Sequence, residues 1–365
     1  MQNLKFRGDD PHEHAFSREV KKRVRDYFTE HHLSIHGNWS LYLKTAFMLL
    51  LYIVPFIILL VIPLSSGIAI LMTFLMGFGV AGIGMSIMHD AAHGAYSARP
   101  WINKLFASSM FMLGNSTFIW RIQHNIKHHT YTNTYHHDPD IDTKGVVRLC
   151  EHAPLKKYHR FQQWYAFPLY GLMTFLMIFG EFRKLLEYNR SGITRAQKEH
   201  PQQELMKLIL IKTIYLIIIL GLPWWLTSYS IGQILLGFVI IQVIAGIIMS
   251  TVFQMAHVVE STRQPLPNQN NEIEHDWFVH QLQTTADFGR KNGLLSWYIG
   301  GLDYQIEHHL FPKICHVHYP RIAPIVEATA KEFGFTYHLN RSLGQALASH
   351  FHRLKELGRQ KVQLG

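Results

Sequence analysis

Four apolar stretches, Thr45 to Leu64, Gly67 to Met88, Leu208 to Thr227 and Ile231 to Phe253, are each long enough to cross a bilayer, which takes about 20 predominantly apolar residues. Hydrocarbon offers no partner to a backbone N–H or C=O, so a single stretch that crosses it does so as a helix. The stretches pair into two tight hairpins, one turning at Ser65 and Ser66 and the other at Ser228 to Ser230. Each hairpin therefore begins and ends on the same side of the membrane.

Charge sets the orientation. Of 35 Lys and Arg, 8 lie in residues 1–44, 14 in 89–205, 2 at Lys207 and Lys212, and 11 beyond Phe253, with none in either turn. By the positive-inside rule the termini and the middle segment are cytoplasmic. The expected fold is an all-α integral membrane protein, with four transmembrane helices in two hairpins and a helical cytosolic cap. Its parts are a cytosolic N-terminal segment (1–44), a first hairpin (45–88), a first part of the cap (89–207), a second hairpin (208–253) and a second part of the cap (254–365).

Within the N-terminal segment, Phe16, Val20, Val24 and Phe28 recur every four residues among Lys and Arg. This predicts an amphipathic helix over 12–36 that lies on the membrane or packs on the cap. Leu105 to Trp120 and Phe167 to Gly180 are apolar but short for a crossing, so interfacial or re-entrant placement is expected. If either crossed, the sidedness above would fail. The polar first forty residues predict no cleavable signal peptide, the first span serving as its own insertion signal. The membrane is the inner membrane of a bacterium or the endoplasmic reticulum of a eukaryote. Cys150 and Cys315 would both face the reducing side, and no disulfide framework is implied.

A net charge of +10 raises the question of nucleic acid. No basic block with interleaved aromatics and no zinc-finger spacing occurs, which argues against it. Apposition to anionic membrane lipid accounts for the charge more simply, and an acidic redox partner would also profit from a basic face.

Against this background stand three histidine clusters: His89-Asp-Ala-Ala-His93, His124-Asn-Ile-Lys-His128-His129 and Gln305-Ile-Glu-His308-His309. Residues four apart on a helix share a face, so His89 and His93, or His124 and His128, can grip one ion. A neighbour such as His129 points about 100° away and suits a second ion. With 25 histidines in the chain, one HxxxH is expected by chance on the order of once or twice. The three clusters together, all beside the ends of apolar segments, are far more specific.

A structural or hydrolytic zinc site needs three or four ligands. The clusters hold seven histidines, and His257, near the cytosolic end of the fourth span, could make eight. That is too many for one zinc. Imidazole also suits iron, and two irons with four or five ligands each would absorb the set while leaving positions open for oxygen. A membrane zinc hydrolase would leave most of the clusters unexplained. A divalent-metal transporter would place its ligands near the bilayer midplane, whereas these sit at span ends.

The motifs HDAAH, HNIKHH and QIEHH followed by LFP, in this order and around two membrane hairpins, resemble the membrane fatty acid desaturases. Gln in place of the first histidine of the third box is similar to the front-end branch of that family. The resemblance runs from the first span to about Pro320. It implies a di-iron centre that uses dioxygen and two electrons to remove two hydrogens from adjacent carbons of a fatty acyl chain, carried on CoA or on a lipid. It also implies that His89, His93, His124, His128, His129, His308 and His309 are iron ligands, with His257 matching an additional one. Gln305 stands where related enzymes have histidine, so it binds weakly, binds through water, or does not bind. Similar boxes also occur in acyl-chain hydroxylases, which direct the same oxidant toward oxygen insertion.

An unactivated methylene has no acidic proton, so the oxidising chemistry must come from the cofactor while the protein supplies position, through a narrow apolar tunnel between spans and cap. Many front-end desaturases carry a fused cytochrome b5 domain with an HPGG motif. None occurs here, so a separate ferredoxin, cytochrome b5 or flavoprotein reductase is expected as electron donor. Asp90, Asn133, Asp138, Asp140 and Glu307 are candidates to accept the free ring N–H of liganded histidines. His136, His137, His316 and His318 fall outside the pattern and are expected at the surface or in support. The segment His280 to Asp287 resembles a family segment near the active site, with Asp where Asn is common, and His280, Gln281 and Thr284 are candidates to contact the substrate or to support the ligands from behind. Trp277 and Trp297 read as interfacial or packing residues.

Overall fold

A computed structural model describes residues 4–360. Among these described residues, four helices are long and apolar enough to cross a membrane: Trp39–Val61, Ser66–His93, Pro201–Leu226 and Ile231–His257. Their boundaries follow local chemistry. Asn38 caps the first helix by accepting from the Leu41 amide, six residues before the apolar run suggested. Pro201 opens the third, where its missing N–H is one the helix could not have used anyway. Ser230 and Gln233 form a capping box on the fourth.

The second and fourth helices run past the apolar stretches, to His93 and His257. Their last turns thus carry histidines directly, instead of handing them to a following loop. In its most apolar stretch the second helix is 56% buried, against 22% to 28% for the other three. It is the central helix, packed against the first and fourth. The remaining faces expose Phe47, Leu50, Leu71, Trp224, Trp225 and Leu236, as a surface meeting lipid requires.

Leu105 to Trp120 forms no long helix; it divides into Pro100–Ala107, a 3₁₀ segment Ser108–Leu113 and the start of Thr117–Arg121. The second short apolar segment lies in helices Gln162–Tyr170 and Met173–Arg190. The two meet at 83°, the geometry of a broken span or a re-entrant loop. Gly246 of the fourth span fits against this bend, because a Cβ there would lie 2.7 Å from the Tyr170 carbonyl.

The amphipathic helix covers Pro11–Glu30 and buries Phe16, Val20, Val24 and Phe28. They join a cluster with Ile322, Ala323 and Val326 of the Tyr319–Glu332 helix, so this helix packs on the cap. Among the described residues the fold is all-α apart from two-residue parallel pairings, Lys5–Phe6 with Glu272–Ile273 and Asp287–Phe288 with Leu339–Asn340. Both cysteines are free and buried.

One loop contact brings the third histidine cluster to the first. Gly300 has φ +68° and lies so close to the second span that a Cβ would sit 2.6 Å from the Met85 carbonyl. Only glycine meets both conditions without strain. Gly300→Ala should therefore lower the stability of the detergent-solubilised protein by about 1–3 kcal/mol, read as a drop in Tm; an unchanged Tm would contradict this close packing.

Candidate metal centre

The histidine-bearing helices have different internal geometry. His89 and His93 lie on a regular α turn that ends at Gly94, whose φ of +77° closes the helix. The helix over Ile122–His128 is π rather than α. In a π-helix the hydrogen bond links residues five apart, so the faces are re-registered. His124 consequently meets His129, Nε2 to Nε2 at 3.2 Å, while His128 turns toward His257 and His309. His124 and His128 still stack with ring centres 5.2 Å apart and, together with Asp140, present donor atoms within 4.8 Å of one another, so the contact with His129 is added to the i, i+4 pair. Such π segments are rare and concentrate at functional sites.

All eight histidines converge. The donor nitrogens of His89, His93, His124 and His308 form one group, and those of His128, His257 and His309 a second; within each group they lie within 4.8 Å of one another. His129 stands between, grouped with His308 and His309 and bonded to His124. Gln305 is buried beside His257, where the three-histidine group lacks a fourth imidazole. Its amide also donates to the Leu302 carbonyl at 3.0 Å.

The far side of each ring shows how the cluster is oriented. His128 Nδ1 donates to Asp138 at 2.9 Å, and His309 Nδ1 to the Gln281 amide oxygen at 2.8 Å. His257 Nδ1 donates to the Thr284 carbonyl at 3.3 Å, and His308 Nδ1 lies 3.2 Å from the Tyr319 hydroxyl. A proton on Nδ1 leaves a lone pair on Nε2. The Nε2 atoms of these four residues, and that of His93, are buried with no hydrogen-bond partner. Buried polar atoms are normally satisfied, so five ring nitrogens aimed inward without a partner fit a metal, which would take their lone pairs.

Electrostatics keeps the donors available. Burial, reinforced by crowding among the rings, holds His124, His129, His308 and His309 well below the usual histidine range, so they are neutral near pH 7. His128 differs. Burial opposes its charge, but the adjacent Asp138 carboxylate outweighs this and raises its pKa.

The carboxylates and amides flagged in the sequence take distinct places. Asp138 also accepts from the backbone amides of Asn133 and Asp140. Asp140 lies 3.7 Å from His128 and accepts from Gln123. The Asn133 side-chain oxygen accepts from no ring N–H among the described residues; its amide donates to the carbonyls of His257, Arg263 and Thr284, tying the second box to the end of the fourth span. Glu307 faces away from the rings, 2.9 Å from the Tyr337 hydroxyl, which also lies 2.6 Å from Asp287. Burial raises both Asp287 and Glu307 above the usual carboxylate range, and the charge of the neighbouring Asp287 reinforces this for Glu307. Asp287 accepts from the Ile306 amide and so fixes the start of the third-box helix.

Asp90 also avoids the box histidines. It accepts from His316 Nδ1 at 2.8 Å and from the Cys315 thiol, while His316 Nε2 lies 2.7 Å from the Lys44 ammonium. This buried network links the first span, the first box and the loop after the third. Lys44 read in the sequence only as a cytosolic charge, and nothing in its spacing pointed to His316. His318 is buried and bonds the His36 carbonyl, whereas His136 is exposed.

Of the two roles expected for the His280 segment, Gln281 and Thr284 take the supporting one: they hold ring nitrogens of His309 and His257, and both are buried. His280 is buried beside Phe6, with its Nε2 unpartnered. Trp277 donates to the His129 carbonyl. Trp120, not singled out in the sequence, stacks on His124 with ring centres 4.5 Å apart.

Partners that orient a ligand typically contribute 10–100-fold to metal affinity. Asp138→Asn and Gln281→Leu should each weaken metal retention by about that factor, measured by chelator titration. Retention equal to that of the unaltered protein would show that these contacts do not orient ligands.

A sequence profile of the fatty acid desaturase family matches residues 65–341. The chain is 35% identical over 348 residues to the sn-1 linoleoyl-lipid 6-desaturase of Synechocystis sp., covering 94% of this chain and 96% of that protein. The sn-1 linoleoyl-lipid 6-desaturase of Arthrospira platensis is 32% identical over 343 residues, or 94% and 92% of the two chains. An acyl-lipid (8-3)-desaturase of Physcomitrium patens is 34% identical over 347 residues, or 94% of this chain and 72% of the relative.

Proposed function

The chain belongs to the fatty acid desaturase family, and on that premise we propose that it is a di-iron acyl-lipid desaturase using dioxygen and two electrons from a separate donor. The observation that carries the reading is the convergence of eight imidazoles in two groups, with inward nitrogens that no protein atom satisfies. Two irons, when bound with dioxygen and two electrons, supply the oxidising power to remove hydrogens from adjacent unactivated methylenes. His89, His93, His124 and His308 would hold one iron, and His128, His257 and His309 the other, with Gln305 at the second group's edge and His129 between them.

The chain's own work is placement. Asp138, Gln281, Thr284 and Tyr319 fix ring orientation from outside, so the ligands need little reorganisation when metal binds. Burial excludes bulk water and keeps His124, His129, His308 and His309 neutral. Location at one end of the spans suits a substrate whose head group stays at the interface while its chain enters an apolar channel.

We assign a lipid-linked acyl chain as substrate and a new double bond near the carboxyl end, at position 6, following the relatives that align over nearly their full length. The distribution of Lys and Arg supports a cytoplasmic centre with both termini on that side. The basic surface suits an acidic ferredoxin, cytochrome b5 or flavoprotein reductase.

Expression in a host supplied with defined acyl chains tests this reading. Mass spectrometry should find a product two hydrogens lighter than its precursor; a product one oxygen heavier would make the enzyme a hydroxylase. His128→Ala and His309→Ala should each lower product at least about a hundredfold, beyond the range of an orienting partner, while the protein remains in the membrane. Full activity in either variant would reject that residue as a ligand. Gently purified protein should carry near two irons per chain, and zinc alone would favour a hydrolase.

A further inference from the structure

At the end of the spans remote from the histidines lies a cavity of about 280 Å³ lined by Phe56, Ala69, Thr73, Ile219, Phe238 and Ile241. From Ile241 to His257, sixteen residues at about 1.5 Å each place the cavity's inner edge about 24 Å from that ligand. Tyr52, Tyr215 and Gln242 lie within a turn on the histidine side of lining residues, and all three are buried. Gln242 donates to the Tyr215 hydroxyl at 2.7 Å, closing this layer. The cavity is thus separate from the metal centre.

Its wall and rim point to what fills it. Ile70 and Leu236 belong to the lining and are 40% and 51% exposed, so the cavity communicates with the lipid-facing surface. Apolar cavities of about 150 Å³ stay dry and take up hydrocarbon. Around these spans the hydrocarbon at hand is lipid tails, which enter with no desolvation cost and restore contacts that an empty space forfeits. At the turn end the Tyr229 hydroxyl is buried without a partner, with Ser66 and Gln233 nearby in the lining. An unpaired hydroxyl in an apolar setting is costly, and an ester carbonyl at the interface would satisfy it.

We propose that this cavity binds one diacyl membrane lipid that is not the substrate, with an acyl tail between the spans and a glycerol ester carbonyl accepting from Tyr229. The site lies in the opposite leaflet from the histidine centre, so the bound lipid holds the hairpins together without meeting the metals.

Photolabelling tests it. The full chain is reconstituted in phosphatidylcholine vesicles containing a phosphatidylcholine with a diazirine near the end of one chain, irradiated and mapped by peptide mass spectrometry. Label should appear on cavity-wall residues such as Thr73 and Ile241, and should fall several-fold in Ala69→Phe, which fills the space, with label at outward-facing Leu50 and desaturase activity unchanged. Tyr229→Phe should weaken the same labelling and guards against misfolding of the first variant. Wall labelling that is absent in the unaltered protein, or undiminished in both variants, would overturn the proposal. Competition by free oleic acid as strong as by unlabelled phosphatidylcholine would overturn the diacyl assignment.

Discussion

The whole structure is organised around imidazoles held in a dry interior with ring nitrogens facing one another. A buried polar atom without a partner costs about 1–3 kcal/mol, and here several ring nitrogens are left so at once. Such a cluster is unfavourable as bare protein and becomes favourable when a metal accepts the lone pairs, so metal binding contributes to folding stability as well as to chemistry. The outward Nδ1 contacts to Asp138, Gln281, Thr284 and Tyr319 are what make this coupling specific. They fix which nitrogen faces inward before any ion arrives.

Membrane and cap contribute to the centre by different means. The spans deliver His89, His93 and His257 rigidly, on the last turns of helices whose backbone is internally bonded. The cap must bring the other five across loops. It does so with tethers: Asn133 to the end of the fourth span, Asp287 to the third-box helix, and Lys44 through His316 to Asp90. The charged tether from Lys44 is buried near the membrane surface, where an unpaired ammonium would be costly, and His316 together with Asp90 offsets that cost.

Much of this was legible in the sequence. Four spans, the packed amphipathic helix and the three histidine boxes follow from periodicity and spacing, because apolar runs and i, i+4 pairs are local properties. The helices extend several residues beyond the apolar stretches, as at Trp39–Lys44 and Pro201–Lys207, because residues outside an apolar run can continue a helix without marking it. The contact of His124 with His129 is not legible in the second box, because a π segment obeys a different spacing and HNIKHH carries no mark of it. For Gln281 and Thr284 the sequence leaves substrate contact and ligand support both open, because a polar helix face looks the same whether it meets a ligand or supports one. Lys44, Tyr319 and Tyr337 gave no signal, since each acts across a long sequence separation that a single chain does not encode.

The central claim, a two-metal centre built from imidazole nitrogen, is tested most directly by X-ray absorption at the iron edge of the iron-loaded protein. The account predicts a first coordination sphere dominated by nitrogen, with the outer scattering of several imidazole rings and a second iron as a neighbour. A sphere dominated by carboxylate oxygen or by sulfur, or a single isolated iron, would contradict it.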